Sequence, residues 1–465
     1  MRAGIVRARL WRPVPSVARR VSTLPTASRH PPSSVPLQIT ADVPIPPSFA
    51  DKLVASSVWL RDACPCPLCV TPSSGQKTFA TFDIPPAIRP HRVHIASDFS
   101  LHVTWTPDVP AAPATHTSVF PAAYLSALRL RHPADSAASF RAPRRAVDLL
   151  LWDAARIARH VRRIPYADFL HDAAALHAGL LDLEALGLLF ITHVPRDAES
   201  VVRIGTRINA LQETFYGRAW DVVSKPHAEN VAYTAGFLGL HQDMLYVRQP
   251  PRIQLLHCLD NSCRGGASLF SDAKHAAQLL LDSPAAHVRR AVDLLAELCV
   301  RYHYAAPPFL YRNAWPVLEL TPERRLMDVW WSPPFQAPNP PVDPRAAGLT
   351  TREAEERSRE WLQAMRMLRE LIEREDHVYE TKLEAGECVV FDNRRVLHAR
   401  RAFDTATGKR WLRGTYISDE DFRSRMQSVP ADVVAEYGRQ KGLEVLREEV
   451  CVEGGRTALE YFQGP

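Results

Sequence analysis

Residues 238–243 read Leu-Gly-Leu-His-Gln-Asp, and the pair His241 and Asp243 decides how the rest of the chain is understood. On an extended backbone, positions i and i+2 point the same way. A His and a carboxylate at that spacing can therefore bind one metal together. A distant His from another strand would complete a triad of two His and one carboxylate, which leaves three positions open on iron(II). His398 is the best third ligand, because it follows an apolar run at 388–391 and the segment 391–397. Twelve residues later, Arg410 lies in the next strand-like run, where a guanidinium can hold a dicarboxylate through a bidentate, charge-assisted fork. His257 and His303 compete as ligands, but neither has a partnered metal spacing, and each reads as a core or edge histidine.

Working outward from these residues, strands are predicted at 231–233, 253–257, 268–270, 388–391 and 410–416. Helical periods fall at 199–213, 286–299 and 351–375. The last is highly charged, and its i,i+4 pairs, Glu353 with Arg357 and Glu355 with Arg359, predict a surface helix. Short strands with helices inserted between them predict a β-barrel or sandwich with helical decoration.

A second constellation lies near the N-terminus. Trp59 to Cys69 reads WLRDACPCPLC, with Cys64, Cys66 and Cys69 in a Cys-x-Cys-x-x-Cys spacing. Three thiolates this close can fill three corners of a tetrahedral zinc site. His116, His91, His94 and His102 are the available fourth ligands. Runs at 93–95 and 101–105 alternate and predict strands.

The chain has 465 residues and a net charge of +6. Six arginines (Arg2, Arg7, Arg9, Arg12, Arg19 and Arg20) fall in residues 1–21, where there is no acid; the first acidic residue is Asp42. The remainder holds 51 basic and 51 acidic side chains, so a broad nucleic-acid footprint is not expected. An Arg-rich, acid-free, Ser-containing start predicts a mitochondrial transit peptide and a matrix location; without it the protein would be cytoplasmic. Residues 22–45 are rich in Pro, Ser and Thr and read as disordered. No uncharged apolar run reaches eighteen residues, so no membrane span is expected.

Several stretches then resemble one family. NVAYTAG at 230–236, HQD at 241–243, PPRIQLLHCL at 250–259, GGASLFSD at 265–272, FDNRRVLHARRAF at 391–403 and RWLRGTY at 410–416 are similar to the γ-butyrobetaine and trimethyllysine hydroxylase branch of the 2-oxoglutarate-dependent dioxygenases. The resemblance implies a mixed, β-rich architecture: a double-stranded β-helix, or jelly-roll, preceded by a small zinc-binding α+β domain. It implies iron(II) on His241, Asp243 and His398, and 2-oxoglutarate held by Arg410, Ser268 and Leu256. It favours His116 as the fourth zinc ligand, since HTSVFPAAYL at 116–125 matches the branch's N-terminal pattern. It implies Tyr216, Trp220, Tyr233 and Tyr416 as an aromatic cage for a quaternary ammonium, with Asn230 retained beside it. It also implies ascorbate as reductant and a homodimer.

The expected domains are 1–45 (leader and disordered segment), 46–130 (zinc-binding), 131–165 (connector), 166–428 (catalytic) and 429–465 (helical tail). The expected activity is O2-dependent hydroxylation of a small trimethylammonium substrate, with γ-butyrobetaine to L-carnitine leading. Trimethyllysine or another small molecule is the alternative, and a zinc-containing binding protein with an inactive barrel is the non-enzymatic one. Two departures bear on the substrate. Met244 stands where the butyrobetaine enzyme has a Tyr after its iron Asp, and VWWSPPFQAP at 329–338 replaces an Asn-rich strand.

Overall fold

The computed structural model describes residues 37–44, 49–55, 57–110, 112–113, 116–129, 145–223, 234–338 and 347–446. The leader reading for 1–21 and the predicted strand at 231–233 lie outside the described residues. The chain divides into two units, residues 1–132 with 450–465, and residues 133–449.

The first unit is an α+β fold. Strands β1 (Gln38–Ala41), β2 (Arg89–Ile95), β3 (Leu101–Thr106) and β4 (Thr117–Phe120) form one sheet in that order. In β3 the burial alternates residue by residue, as the period of two requires when one face is covered. Val93, Ile95, Leu101, Val103, Trp105 and Phe120 pack with Phe49, Leu53 and Leu60 from the helices Phe49–Ala55 and Ser57–Asp62. The 22–45 segment, read as disordered, departs from that reading at its end: β1 pairs parallel to β2. Ile39 and Ala41 pack against the same core, which a composition rule averaged over the Pro and Ser before them does not register.

The second unit is a double-stranded β-helix. Its large sheet runs β5–β6–β17–β9–β20–β7, from β5 (Arg163–Pro165), β6 (Leu188–Thr192), β7 (Trp220–Val223), β9 (Ile253–Asn261), β17 (Cys388–Asp392) and β20 (Arg410–Ile417). The smaller sheet runs β16–β11–β18–β8, from β8 (Leu238–His241), β11 (Ser268–Asp272), β16 (Val378–Thr381) and β18 (Val396–Arg400). Strands β10 (Arg264–Gly265), β12 (Cys299–Ala306), β13 (Phe309–Pro316), β14 (Leu318–Leu320), β15 (Leu326–Val329) and β19 (Phe403–Asp404) form three two-stranded ribbons.

Every residue of β17 is buried, as expected of a strand covered on both faces. Its alternation shows in where the side chains go. Cys388 and Val390 join a core with Leu189, Leu255 and Ile417 under the helices Ala173–Ala185 and Ser200–Ile208. Val389 and Phe391 turn the other way, to Phe190, Leu412 and Phe270. Phe270 comes from the small sheet and meets Phe190 and Phe391 edge to face, at 6.4 and 5.7 Å between ring centroids. Aromatic rings thus fill part of the barrel interior, and Phe270 and Leu412 from this packing also line a cavity.

Three expectations need correction. The 131–165 stretch, read as a connector with some helix, carries the helix Ala154–His160, but it is also tied into the core: Trp152 is buried and hydrogen-bonds the Leu186 carbonyl, and β5 extends the large sheet. Arg357 does not pair with Glu353. The helix Thr351–Glu373 begins in a capping box that takes the Glu353 carboxylate onto Thr350, and Arg357 pairs instead with Glu297. The Glu355–Arg359 pair forms at 3.1 Å. The tail helix spans Ala431–Lys441 and stops at Gly442, whose φ of +63° makes a left-handed cap; the expected helical stretch had run on past that glycine. Val434 and Tyr437 bury against the barrel, where the Tyr437 hydroxyl donates to Asp182 at 2.8 Å.

Candidate metal and co-substrate site

β8 and β18 are neighbours in the small sheet, with His241 and His398 in direct register. Their rings lie 4.2 Å apart. The chain leaves β8 at His241, and Asp243 follows in the turn. Its Oδ1 lies 3.4 Å from His241 Nε2 and 3.9 Å from His398 Nε2. The three ligand atoms fall within 4.8 Å of one another.

The donor chemistry fits a divalent metal. His241 Nδ1 is 2.8 Å from the Gly239 carbonyl, which can only accept, so Nδ1 carries the proton and Nε2 presents its lone pair. Burial, with His241 beside it, lowers His398 to about 3, so its imidazole is neutral at physiological pH. Burial works against the Asp243 carboxylate, while the Tyr416 hydroxyl donates to it and favours the ionised form.

The turn itself is held by residues that pattern reading missed. Gln242, fully buried between the two ligands, donates to the Val329 carbonyl at 3.0 Å and accepts from Trp331 N at 2.7 Å. Ser332 Oγ donates to the Gln242 carbonyl at 2.7 Å. Part of the departing 329–338 stretch is therefore a strap across the metal-binding turn. Asn393 closes the other side, accepting from Asp243 N at 2.8 Å and donating to its carbonyl at 3.2 Å. Met244 completes the turn at φ +63°, a strained conformation for a residue with a Cβ.

One cavity, partly open to solvent, brings together His241, Asp243, His398, Arg410, Ser268, Leu256, Tyr216, Trp220 and Tyr416. Met244, Tyr246, Gln254, Phe335 and Arg400 also line it. Asn230 and Tyr233 lie outside the described residues. His257 sits one residue along β9 from Leu256, which alternation turns away from the cavity; burial lowers it to about 4. His303 lies on β12 and does not line the cavity either.

Arg410 has 6% of its surface exposed, and its Nε has no hydrogen-bond partner among the described residues. Burial lowers it to about 10, which still leaves it cationic at neutral pH. A buried, under-satisfied guanidinium is costly on its own and fits a bound carboxylate. The Gly-Gly turn serves this residue: a Cβ on Gly266, at φ +71°, would come within 3.2 Å of Arg410 Cδ. Replacing Arg410 with Met is expected to raise the KM for 2-oxoglutarate about 10- to 100-fold, the loss of one or two charged hydrogen bonds. Initial rates at graded 2-oxoglutarate test this, and an unchanged KM would place the co-substrate elsewhere.

The aromatic wall is continuous. Trp220 stacks on Tyr416 at 4.2 Å, and Gly414 makes room, since a Cβ there would lie 2.7 Å from the indole. Tyr216 lies 6.0 Å from Trp220, and its hydroxyl is 3.3 Å from that of Tyr246.

The thiol cluster is equally well formed. His116 Nε2 lies 3.7, 3.4 and 3.5 Å from the sulfurs of Cys64, Cys66 and Cys69. Tetrahedral zinc with ordinary bond lengths needs S···N edges of about 3.5 Å. Asp108 accepts from His116 Nδ1 at 2.7 Å and from Arg61 Nε at 2.5 Å. Arg61, fully buried, also donates to Cys69 Sγ at 3.3 Å. A carboxylate behind a ligating His and a cation beside a thiolate are the outer supports of a metal site. His91, His94 and His102, the other histidines considered, are not part of this cluster.

Comparison with known proteins fits this geometry. Residues 150–416 match the taurine catabolism dioxygenase TauD, TfdA family, and residues 48–126 match the γ-butyrobetaine hydroxylase-like N-terminal family. The chain belongs to the TauD/TfdA family and is an iron(II)- and 2-oxoglutarate-dependent dioxygenase, which sets aside the inactive-barrel reading. It is 33% identical to dioxygenase str8 of Strobilurus tenacellus, over 79% of this chain and 83% of that one. It is 30% identical to the γ-butyrobetaine dioxygenase of a Pseudomonas species, over 82% and 92%. It is 26% identical to the mitochondrial trimethyllysine dioxygenase of Bos taurus, over 78% and 80%.

Proposed function

We propose that the protein hydroxylates a small trimethylammonium compound, with γ-butyrobetaine as the leading substrate and L-carnitine as its product. The observation that carries this reading is the wall of Tyr216, Trp220, Tyr246 and Tyr416 in the cavity that holds the ligand triad. A quaternary ammonium has no N–H to donate, so ring faces suit it better than carboxylates or carbonyls. When bound, iron(II) supplies O2 activation coupled to decarboxylation of 2-oxoglutarate to succinate and CO2. The chain's own residues do the rest. Arg410 and Ser268 orient the co-substrate, the aromatic wall holds the substrate, and Leu238, Phe270 and Leu412 exclude water.

Met244 and Phe335 on the same cavity favour a second reading, a less polar substrate of another pathway. Succinate formation with γ-butyrobetaine, trimethyllysine and the neutral tert-butyl isostere of γ-butyrobetaine separates the readings. A desolvated cation–π contact of about 2 kcal/mol predicts roughly 30-fold higher kcat/KM for the cation than for the isostere. Equal values for the two would refute the trimethylammonium reading.

We further propose a structural zinc on Cys64, Cys66, Cys69 and His116, ascorbate as reductant, a homodimer, and import of the chain into the mitochondrial matrix. The domain limits proposed from the sequence, with β1 and residues 145–165 reassigned as above, accompany this reading.

A further inference from the structure

The carboxylate of the triad is gripped by two groups that ligand count alone does not require. Asp243 turns Oδ1 toward both imidazoles. Its other oxygen, Oδ2, accepts from Gln254 Nε2 at 2.8 Å and from the Tyr416 hydroxyl at 2.7 Å. Gln254 on β9 and Tyr416 on β20 are direct register partners, so one cross-strand pair presents two donors side by side to one oxygen. Tyr416 is also the ring that stacks on Trp220 in the aromatic wall.

We infer that Gln254 and Tyr416 are positioning residues that occupy Asp243 Oδ2, so that the carboxylate binds metal through Oδ1 alone. A carboxylate free to rotate can take a metal with both oxygens and so consume a position that the co-substrate or O2 needs. Two donors on one oxygen remove that option before any metal arrives, and they hold Oδ1 in the direction of the two histidines. Tyr416 then has two separable parts. Its ring serves the substrate cavity and its hydroxyl serves the metal. This inference rests on the iron and 2-oxoglutarate class of the site and does not depend on the trimethylammonium reading.

Substituting Phe keeps the ring and deletes the hydroxyl. The full-length protein, stripped of iron with its zinc retained, is titrated with Mn(II) and followed by electron paramagnetic resonance. Tyr416→Phe and Gln254→Met are each expected to bind Mn(II) about 10- to 100-fold more weakly, the usual cost of losing an outer support of a metal ligand. Tyr416→Phe should leave the substrate KM within about twofold while lowering kcat, and it should release more succinate per hydroxylated product. Tyr416→Leu, which loses the ring as well, should raise KM too. Circular dichroism of the metal-free variants checks their fold, and Gln254→Met decides the matter should Tyr416→Phe be destabilised. Mn(II) affinities of both folded variants within about threefold of the parent overturn the inference, since outer supports cost more than that. Because the titration contains no substrate, a wrong substrate assignment cannot produce that result.

Discussion

His241→Ala is expected to abolish coupled turnover, with a loss of at least about a thousandfold, or on the order of 4 kcal/mol of barrier. His241 and His398 are paired across two strands, and Asp243 sits in the turn after β8; among the described residues no further His, Cys, Asp or Glu groups with these three to replace one of them. Gln242 cannot substitute, because its amide is committed to Val329 and Trp331. Mn(II) binding should fall with turnover. The control is His257→Leu, which changes a buried imidazole facing away from the cavity and should leave metal binding intact. Succinate release under saturating iron(II) and 2-oxoglutarate, measured for both variants, checks this. Turnover retained in His241→Ala, or metal binding lost in His257→Leu, would overturn the ligand assignment.

Removing the proposed zinc should have the largest effect on stability. Cys66→Ser, or a strong chelator acting on the parent, is expected to unfold the first unit while the second keeps its fold. That unit has a small core, drawn from one four-stranded sheet and short helices. Small cores of this kind commonly need a metal or disulfide to stand. Structural zinc contributes about 10 kcal/mol or more of apparent binding free energy at neutral pH, more than such a core can supply alone. The site also anchors charge. Without metal, Arg61 and Asp108 remain buried or half-buried around three thiols with one imidazole to satisfy them. The expected result is one equivalent of zinc released to a colorimetric chelator, together with loss of the near-ultraviolet signal of Trp105, which is buried in this unit. A Cys66→Ser variant that holds no zinc and melts with the parent would show that the cluster is dispensable.

Much of the chemistry could be read before any fold was known. His241, Asp243, His398 and Arg410 could be singled out because each carries a group that few other side chains can replace, at spacings a strand imposes, and the structure brings all four to one cavity. The thiol cluster was identifiable for the same reason. The four aromatic positions were less distinct, since Tyr and Trp fill cores as readily as they line cavities. Tyr246 and Phe335 carry no spacing signal at all. They reach the cavity only through the turn after Asp243 and the strap across it.

The sequence by itself therefore determined the reaction class, because the candidate metal ligands and the candidate co-substrate arginine are local chemical identities placed in a legible order. It also marked the strands, since period-two burial is written residue by residue. Tertiary structure alone decided what supports those groups. Gln254 and Tyr416 stand side by side at Asp243 because β9 and β20 pair in one particular register, and Asn393 meets it from a turn 150 residues away. Arg61 reaches Asp108 and Cys69 in the same way, through burial rather than spacing. Such contacts join polar side chains that are common everywhere in the chain. Only a closed barrel or a packed core, where each buried polar atom must find a partner, selects which of them meet.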